Sequence, residues 1–430
     1  MATSTLPRGD ARPQPPAPRR LAWLDALRGV AALIVVFEHS IDPLYPEMFS
    51  ISKPWFDAGK CGVLVFFLVS GYVVPASLER RGDVRAFWTG RLFRLYPLWL
   101  VAIAGAILLA VTGLDPMGRD MTDRPDVTVL AHLTMLQDML RVPNALNVLW
   151  TLSFEMVFYL LVTAMFVAGV HRRSAETAFA FAAGALALGA VLPAAWISRT
   201  LGVSWTVYGV SALMAAGMVL LLRERTRRYG AAVLGVLALT LLAVNSRVGV
   251  WEAFLILATM FSGTALYRLE RGTLPKWRGV PLVAAVPVLS VAAAIWLSAG
   301  WSLTDSDRGV FLWTWSSAVV VAWAVFLAGM ALRGREIPRV LTWLGMISYS
   351  VYLLHPLVME TFDGLIADPA ALPLSLRLAF GVLALLVLLT ASAAAYRWIE
   401  APMQNLGRRL SRRPAPPAPH PIPPAPRPAP

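Results

Sequence analysis

The chain is short of the groups that soluble enzymes and disulfide scaffolds use most. It has one cysteine, Cys61, in 430 residues, which excludes an intramolecular disulfide and a cysteine-ligated zinc site. Charged residues make up only 15% and hydrophobic ones 57%, too apolar a balance for a soluble globular fold. Lysine is scarce, and histidines number five, so an imidazole set among apolar residues stands out. No Gly-x-Ser-x-Gly turn, phosphate-cradling glycine loop or His-Glu-x-x-His helix occurs, and no bound metal is expected. What remains reads as an all-α, polytopic transmembrane helical bundle with about 10–12 membrane spans.

The 38 basic residues exceed the 25 acidic ones, giving +13, yet they gather in short segments between apolar runs. That is the positive-inside pattern, so the charge reports orientation. No basic stripe interleaved with aromatics sits on a soluble module, and nucleic acid is not an expected partner. Residues 1–20 read as a disordered basic tail, 21–405 as one membrane domain, and 406–430 as a basic, then Pro/Ala-rich, disordered tail. Both termini are expected on the cytoplasmic side. The start resembles a secretory leader, but Asp25 and Arg28 interrupt its apolar stretch, so the first helix is expected to be retained. Residues 127–140, with His132, Gln137 and Asp138, are too short and polar for a span and read as re-entrant or interfacial.

The first apolar run, about residues 21–41, carries Asp25, Arg28, Glu38 and His39. Ionisable groups inside a membrane are costly and call for a partner or a function. At about 100° per residue, Arg28 and His39 return to within about 20° of one face, with Asp25 close by, while Glu38 falls about 100° off the His39 face. Arg28 and His39 are then roughly 16 Å apart along the axis, so one helix can reach both halves of the bilayer. A neutral imidazole at His39 can take a proton from a hydroxyl and return it; the alternative is a histidine that bridges helices. Arg28 can pair with Asp25 or bind an anion. Arg91 and Arg94, at i and i+3, suit phosphate through forked hydrogen bonds, or merely snorkel. Glu155 is a carboxylate inside an apolar run, able to orient a cation or act as a base. Ser348, Tyr352 and His355 form one polar stripe that could line an acceptor channel or bond to neighbouring helices.

These segments, in order, resemble the acyltransferase-3 family of integral membrane acyltransferases. The motifs are Leu24-Asp25-x-Leu27-Arg28-Gly29 with His39 beyond, Phe66-Phe67-x-x-Ser70-Gly71-Tyr72, Arg91-x-x-Arg94-x-Tyr96-Pro97, Trp150-x-Leu152-Ser153-x-Glu155-x-x-Phe158-Tyr159, Ser348-Tyr349-Ser350-x-Tyr352-Leu353-x-His355, and Glu400-x-Pro402. They cover about residues 21 to 405. The resemblance implies transfer of an acyl group, typically acetyl, from cytoplasmic acyl-coenzyme A to a hydroxyl of a carbohydrate or glycosylated acceptor, in the bacterial cytoplasmic membrane. By that resemblance His39 is the catalytic base and Arg28 its motif partner, with Glu155 assigned to the catalytic group. Arg91 and Arg94 contact coenzyme A, while Tyr352 and His355 match further motif positions without a settled role; Ser70, Tyr352 and His355 are read as lining the substrate channel. Direct attack by the acceptor and a covalent acyl-histidine both fit. The chain departs from the usual family pattern in two respects, the first being that it holds twelve apolar runs where a ten-helix core is commonly described. No extracytoplasmic hydrolase-like stretch is recognised, which argues against the fused subtype. From another class, the same buried groups could form the proton relay of a transporter, although no internal repeat is evident.

Overall fold

In a bilayer every backbone N–H and C=O must find its partner within the protein, so a chain of apolar runs has helices as its solution. The computed structural model describes residues 21–114, 119–366 and 368–411, and among them there is no strand. The tail expected at 1–20, and residues 412–430 of the one expected at 406–430, lie outside the described residues. Twelve long helices follow in order: α1 (Ala22–Leu44), α2 (Ala58–Arg81), α3 (Val84–Thr112), α4 (Trp150–Val167), α5 (Ser174–Leu188), α6 (Val203–Leu222), α7 (Arg227–Val244), α8 (Val250–Glu270), α9 (Lys276–Ser298), α10 (Asp305–Ala331), α11 (Arg339–Leu365) and α12 (Leu374–Ala395). Among the described residues, ten helices are long and apolar enough to cross a membrane. The two that fall short do so for different reasons. Helix α1 is long but charged, and α5 has 15 residues, roughly 22 Å of rise against a hydrocarbon core of about 30 Å.

Two ends differ from expectation. Helix α1 runs past the expected 41 to Leu44, with Pro43 in its last turn. After α12 a π-helical turn, Tyr396–Glu400, leads into a further helix, Ala401–Leu410, past the boundary expected at 405. Ion pairs fasten the helix ends on each face. At the basic face the buried Arg268 pairs with Glu79 and donates to Ser174 Oγ at 2.8 Å, and Arg333 meets Glu270 at 2.8 Å. At the opposite face Lys53 joins Glu38 and Asp57, and Lys60 reaches Glu252 at 3.2 Å. Glu38 thus belongs to an inter-element clamp.

Residues 125–149 do not span. A nine-residue helix, Pro125–Leu133, and a 3₁₀ turn, Gln137–Leu140, are packed into the bundle, with Gln137 to Leu140 all buried. Irregular backbone at membrane depth is tolerated where protein covers it and supplies its hydrogen bonds. Here Tyr96 Oη donates to Leu133 O at 2.6 Å, Gln137 Nε2 to Leu149 O at 3.1 Å, and Asn245 Nδ2 to Met139 O at 2.8 Å. His132 bonds Thr128 O through Nδ1 at 2.8 Å and accepts Ala145 N–H at Nε2 at 3.1 Å. The polar residues that made this stretch unlike a span are therefore its fasteners. Asp138 is buried too, and burial pushes its carboxyl above the usual range despite Arg247 and Asn144 nearby.

Two pairs of glycines set the closest helix approaches, as small residues do where lipid provides no hydrophobic drive for association. A methyl on Gly29 of α1 would lie 2.7 Å from Leu344 Cβ and 2.8 Å from Gly345 N of α11, and one on Gly345 would strike the backbone of Asp25. Gly71 of α2 and Gly263 of α8 make a second crossing, fastened by a 2.8 Å bond from Thr264 Oγ1 to Gly71 O.

Gly345→Ala should therefore lower stability by about 1–3 kcal/mol, the usual cost of overpacking, read as a fall in thermal midpoint in detergent. Gly209→Ala, where a methyl meets nothing within 4 Å, should leave it unchanged. Because the Asp138 carboxyl is raised in the fold, its favourable contribution is complete below its unfolded pKa, about 3.9, and is lost as pH rises through the folded value. Asp138→Asn should flatten the decline in stability from about pH 4 upward; an unchanged pH profile would contradict this assignment.

Candidate active site

The α1 and α11 helices run in the same direction and are locked at Gly29 and Gly345. Ten residues farther along each comes His39 and His355, roughly 15 Å along the axis at 1.5 Å per residue. The shared offset brings the two imidazoles face to edge, with ring centroids 5.0 Å apart. Each ring bonds back to its own helix: His39 Nδ1 to Val35 O at 2.9 Å and His355 Nδ1 to Val351 O at 3.3 Å. A carbonyl can only accept, so Nδ1 carries the proton and a neutral ring presents its lone pair at Nε2. His132 has the same arrangement, but there a backbone N–H occupies Nε2. His355 Nε2, in a side chain with 0% exposure, is buried without a hydrogen-bond partner. That vacancy separates a chemically available histidine from a structural one.

Toward the basic face lies a cavity of about 100 Å³ lined by Arg28, Arg91, Arg94, Glu155, Ser70 and Tyr352, with Phe66, Thr151, Ser348 and Tyr349 among the rest of its wall. Three guanidiniums against one carboxylate give this lining an excess of positive charge. Glu155 is held from two sides, accepting Ser70 Oγ at 2.9 Å and Tyr159 Oη at 2.5 Å. Arg91 donates to Ser77 Oγ at 3.1 Å and lies 5.2 Å from both the Phe87 and Tyr159 ring centroids. Arg28 is within electrostatic range of Arg94, Asp25, Glu155 and Glu400. Charges set this deep persist only with counter-charges and hydrogen bonds.

Tyr352 forms the floor between this chamber and the histidines. Its hydroxyl lies 3.0 Å from Thr151 Oγ1 and donates to Val148 O at 3.2 Å. Its ring stands 5.5 Å from Phe66 and 5.9 Å from His355. Of the residues singled out in the sequence, Arg28, Arg91, Arg94, Glu155, Ser70 and Tyr352 share the chamber, whereas His39 and His355 meet one turn beyond it. The polar stripe on α11 is thus divided: Ser348 and Tyr352 face the chamber, and His355 lines a second cavity on the side away from the basic face. Among the described residues no group of three or more His, Cys, Asp or Glu side chains gathers as a metal site.

Glu400 is the participant that the sequence analysis left without a role. It is 3% exposed, accepts from Ser350 Oγ and Gln404 Nε2, and neighbours Arg28 and Arg94. The π-helical turn that ends on it, a distortion common at functional sites, carries this carboxylate from beyond α12 back to α11. Its signal in the sequence was the isolated acid before Pro402. Removing it should leave Arg28 and Arg94 short of counter-charge. Glu400→Ala is expected to cost about 3–5 kcal/mol, seen as loss of monodisperse protein on mild heating. The double variant with Arg28→Met should recover part of that loss; equal thermal midpoints for wild type and Glu400→Ala would refute the pairing.

Comparison with known proteins bears on this geometry. The model of a family described as an acyltransferase domain matches residues 21–397. The acyltransferase MdmB of Streptomyces mycarofaciens is 31% identical over 155 residues, 34% of this chain and 39% of that protein. A Bacillus subtilis protein provisionally named peptidoglycan O-acetyltransferase YrhL is 27% identical over 169 residues, 36% of this chain and 25% of its own length. A provisionally named O-acetyltransferase of Staphylococcus aureus (strain COL) is 31% identical over 91 residues, 20% of this chain and 13% of its own. The chain thus aligns with less than half the length of these relatives. No solved structure matches it.

Proposed function

Since the chain belongs to the acyltransferase-3 family, whose model spans residues 21–397, we propose that it is an integral membrane O-acyltransferase. It moves an acyl group, acetyl in the first instance, from acyl-coenzyme A to a hydroxyl of a carbohydrate or glycosylated acceptor. It does so in the bacterial cytoplasmic membrane, with both termini on the cytoplasmic side, where positive-inside loops belong. The observation that carries the reading is the His39–His355 pair, with the Nε2 of His355 buried and unpartnered, set one turn beyond a chamber lined by three guanidiniums.

The donor's phosphates enter from the basic face and meet Arg91 and Arg94, whose forks suit phosphate oxygens. From Arg28 to His39 is roughly 16 Å, so the donor must carry its reactive end on a long arm, as a coenzyme A thioester does. The acceptor hydroxyl attacks the thioester carbonyl as His39 Nε2 takes its proton. The new C–O bond forms, the C–S bond breaks, and the imidazolium returns the proton to the departing thiolate. Arg28 and Glu155 touch neither reacting atom in this scheme; they hold the chamber's charge and shape. Tyr352 guides the arm between chamber and histidines.

The test is release of free coenzyme A thiol from acetyl-coenzyme A by the protein in lipid nanodiscs. His39→Ala should lower kcat by about 10²–10⁴, the range for a lost general base. Arg94→Ala should chiefly raise KM for the donor, by about tenfold or more for one charge-assisted contact. Wild-type turnover in folded His39→Ala would contradict the assignment.

A further inference from the structure

Beyond the histidine pair, away from the basic face, lies a cavity of about 320 Å³ between the far ends of α1, α11 and α12, within the size of a small-molecule site. Its wall is apolar, with Phe37, Met359, Phe362 and Leu385 typical of it, and His355 is the deepest residue that α11 contributes. Ser40 also lines it, but its hydroxyl is spent on Val36 O at 2.7 Å. No cation lines it, and its one carboxylate, Asp363, stands at the outer rim on an exposed turn. The phosphate-bearing donor therefore has no anchor here, in contrast to the arginine chamber.

The cavity is closed from above and open at the side. Arg377, at the start of α12, donates to Leu44 O at 3.1 Å and to Glu47 Oε1 at 2.7 Å, tying α12 to the end of α1. Glu47, hydrogen-bonded first by its own backbone and then by Arg377, stays below the ordinary carboxylate range and keeps this latch charged. Below the latch α12 packs on α11 and scarcely touches α1. There Phe37 is 57% and Leu385 39% exposed, on a face that borders lipid.

We propose that this cavity is the acceptor site, and that the acceptor is an amphiphile: an apolar body dissolved in the membrane, carrying the hydroxyl that is acylated. It enters sideways between α1 and α12, seats its apolar part against Phe37, Met359 and Phe362, and presents two hydroxyls to the histidine pair, the one to be acylated donating to His39 Nε2 and a neighbouring one to His355 Nε2. The buried, unpartnered Nε2 is the observation that asks for such a donor, since a polar group left so is costly. This inference rests on the O-acyltransferase reading and narrows its acceptor to lipid-like or lipid-linked glycosides, as against long, hydrated polysaccharide.

The experiment uses the full chain in nanodiscs with two probes that share one sugar, decyl β-glucoside below its micellar concentration and methyl β-glucoside. A decyl glucoside carrying a terminal diazirine reports binding without turnover. The photoadduct should fall on α1, α11 and α12 around Phe37 and Met359, and unlabelled decyl glucoside, but not methyl glucoside, should compete. Acetylation of decyl glucoside from acetyl-coenzyme A should exceed that of methyl glucoside by about tenfold or more in kcat/KM, as apolar burial predicts. Met359→Trp, which fills the cavity, should raise KM for decyl glucoside while KM for acetyl-coenzyme A stays within about twofold, because the donor does not reach it. Equal use of the two glucosides, adducts outside these helices, or labelling displaced equally by phosphatidylethanolamine would overturn the proposal. A correctly placed, competed adduct without any acetyl transfer would uphold the binding site and count against the acyltransferase reading.

Discussion

Everything at the centre of this protein depends on how closely α1 and α11 approach. Where Gly29 and Gly345 meet, neither helix can slide or rotate without driving backbone into backbone. That contact fixes the register, and the register carries His39 and His355 to the same depth. A helix pair held by larger side chains would sit farther apart and leave more freedom in crossing angle. The imidazoles would then have no fixed relation. The site thus owes its geometry to two positions that carry no chemistry, a full two to three turns away.

The second constraint is charge. Arginines deep in a helical bundle persist because carboxylates from three parts of the chain, Asp25, Glu155 and Glu400, approach Arg28, and because Ser70 and Tyr159 donate to Glu155 and Ser350 to Glu400. The positive excess is confined to the chamber lining. Past Tyr352 the walls become apolar, and the polar groups that matter are the two histidines. A donor that is anionic at one end and an acceptor that is apolar can thus be sorted by electrostatics before they meet.

Much of this was legible in the chain. Hydropathy marks the twelve long helices, of which ten among the described residues are long and apolar enough to span, and the 100° rule set Arg28 and His39 on one face of α1 while turning Glu38 elsewhere, toward Lys53. The i, i+3 spacing of Arg91 and Arg94 does bring both to one cavity. Three features escaped because they are settled between elements. The pairing of His39 with His355 needs the glycine contact, which no single helix reveals. Glu400 reaches Arg28 only through a π-helical turn, a local backbone choice with no hydropathy signal. The division of the α11 stripe between two cavities depends on α12, whose uniform apolar sequence says nothing about which neighbour it leaves uncovered. His132 and His355 both bond back to their own helix through Nδ1, and the occupancy of Nε2 tells them apart.

The most direct test of the central claim, that a donor anchored at the arginines delivers its reactive carbon to the histidine pair, is a cryo-electron microscopy map of the protein in nanodiscs with a non-transferable acetyl-coenzyme A analogue. The account predicts phosphate density against Arg91 and Arg94, an arm passing Tyr352, and an acyl carbon between His39 and His355. An analogue bound outside the chamber, or one whose acyl end stops on the arginine side of Tyr352, would contradict it.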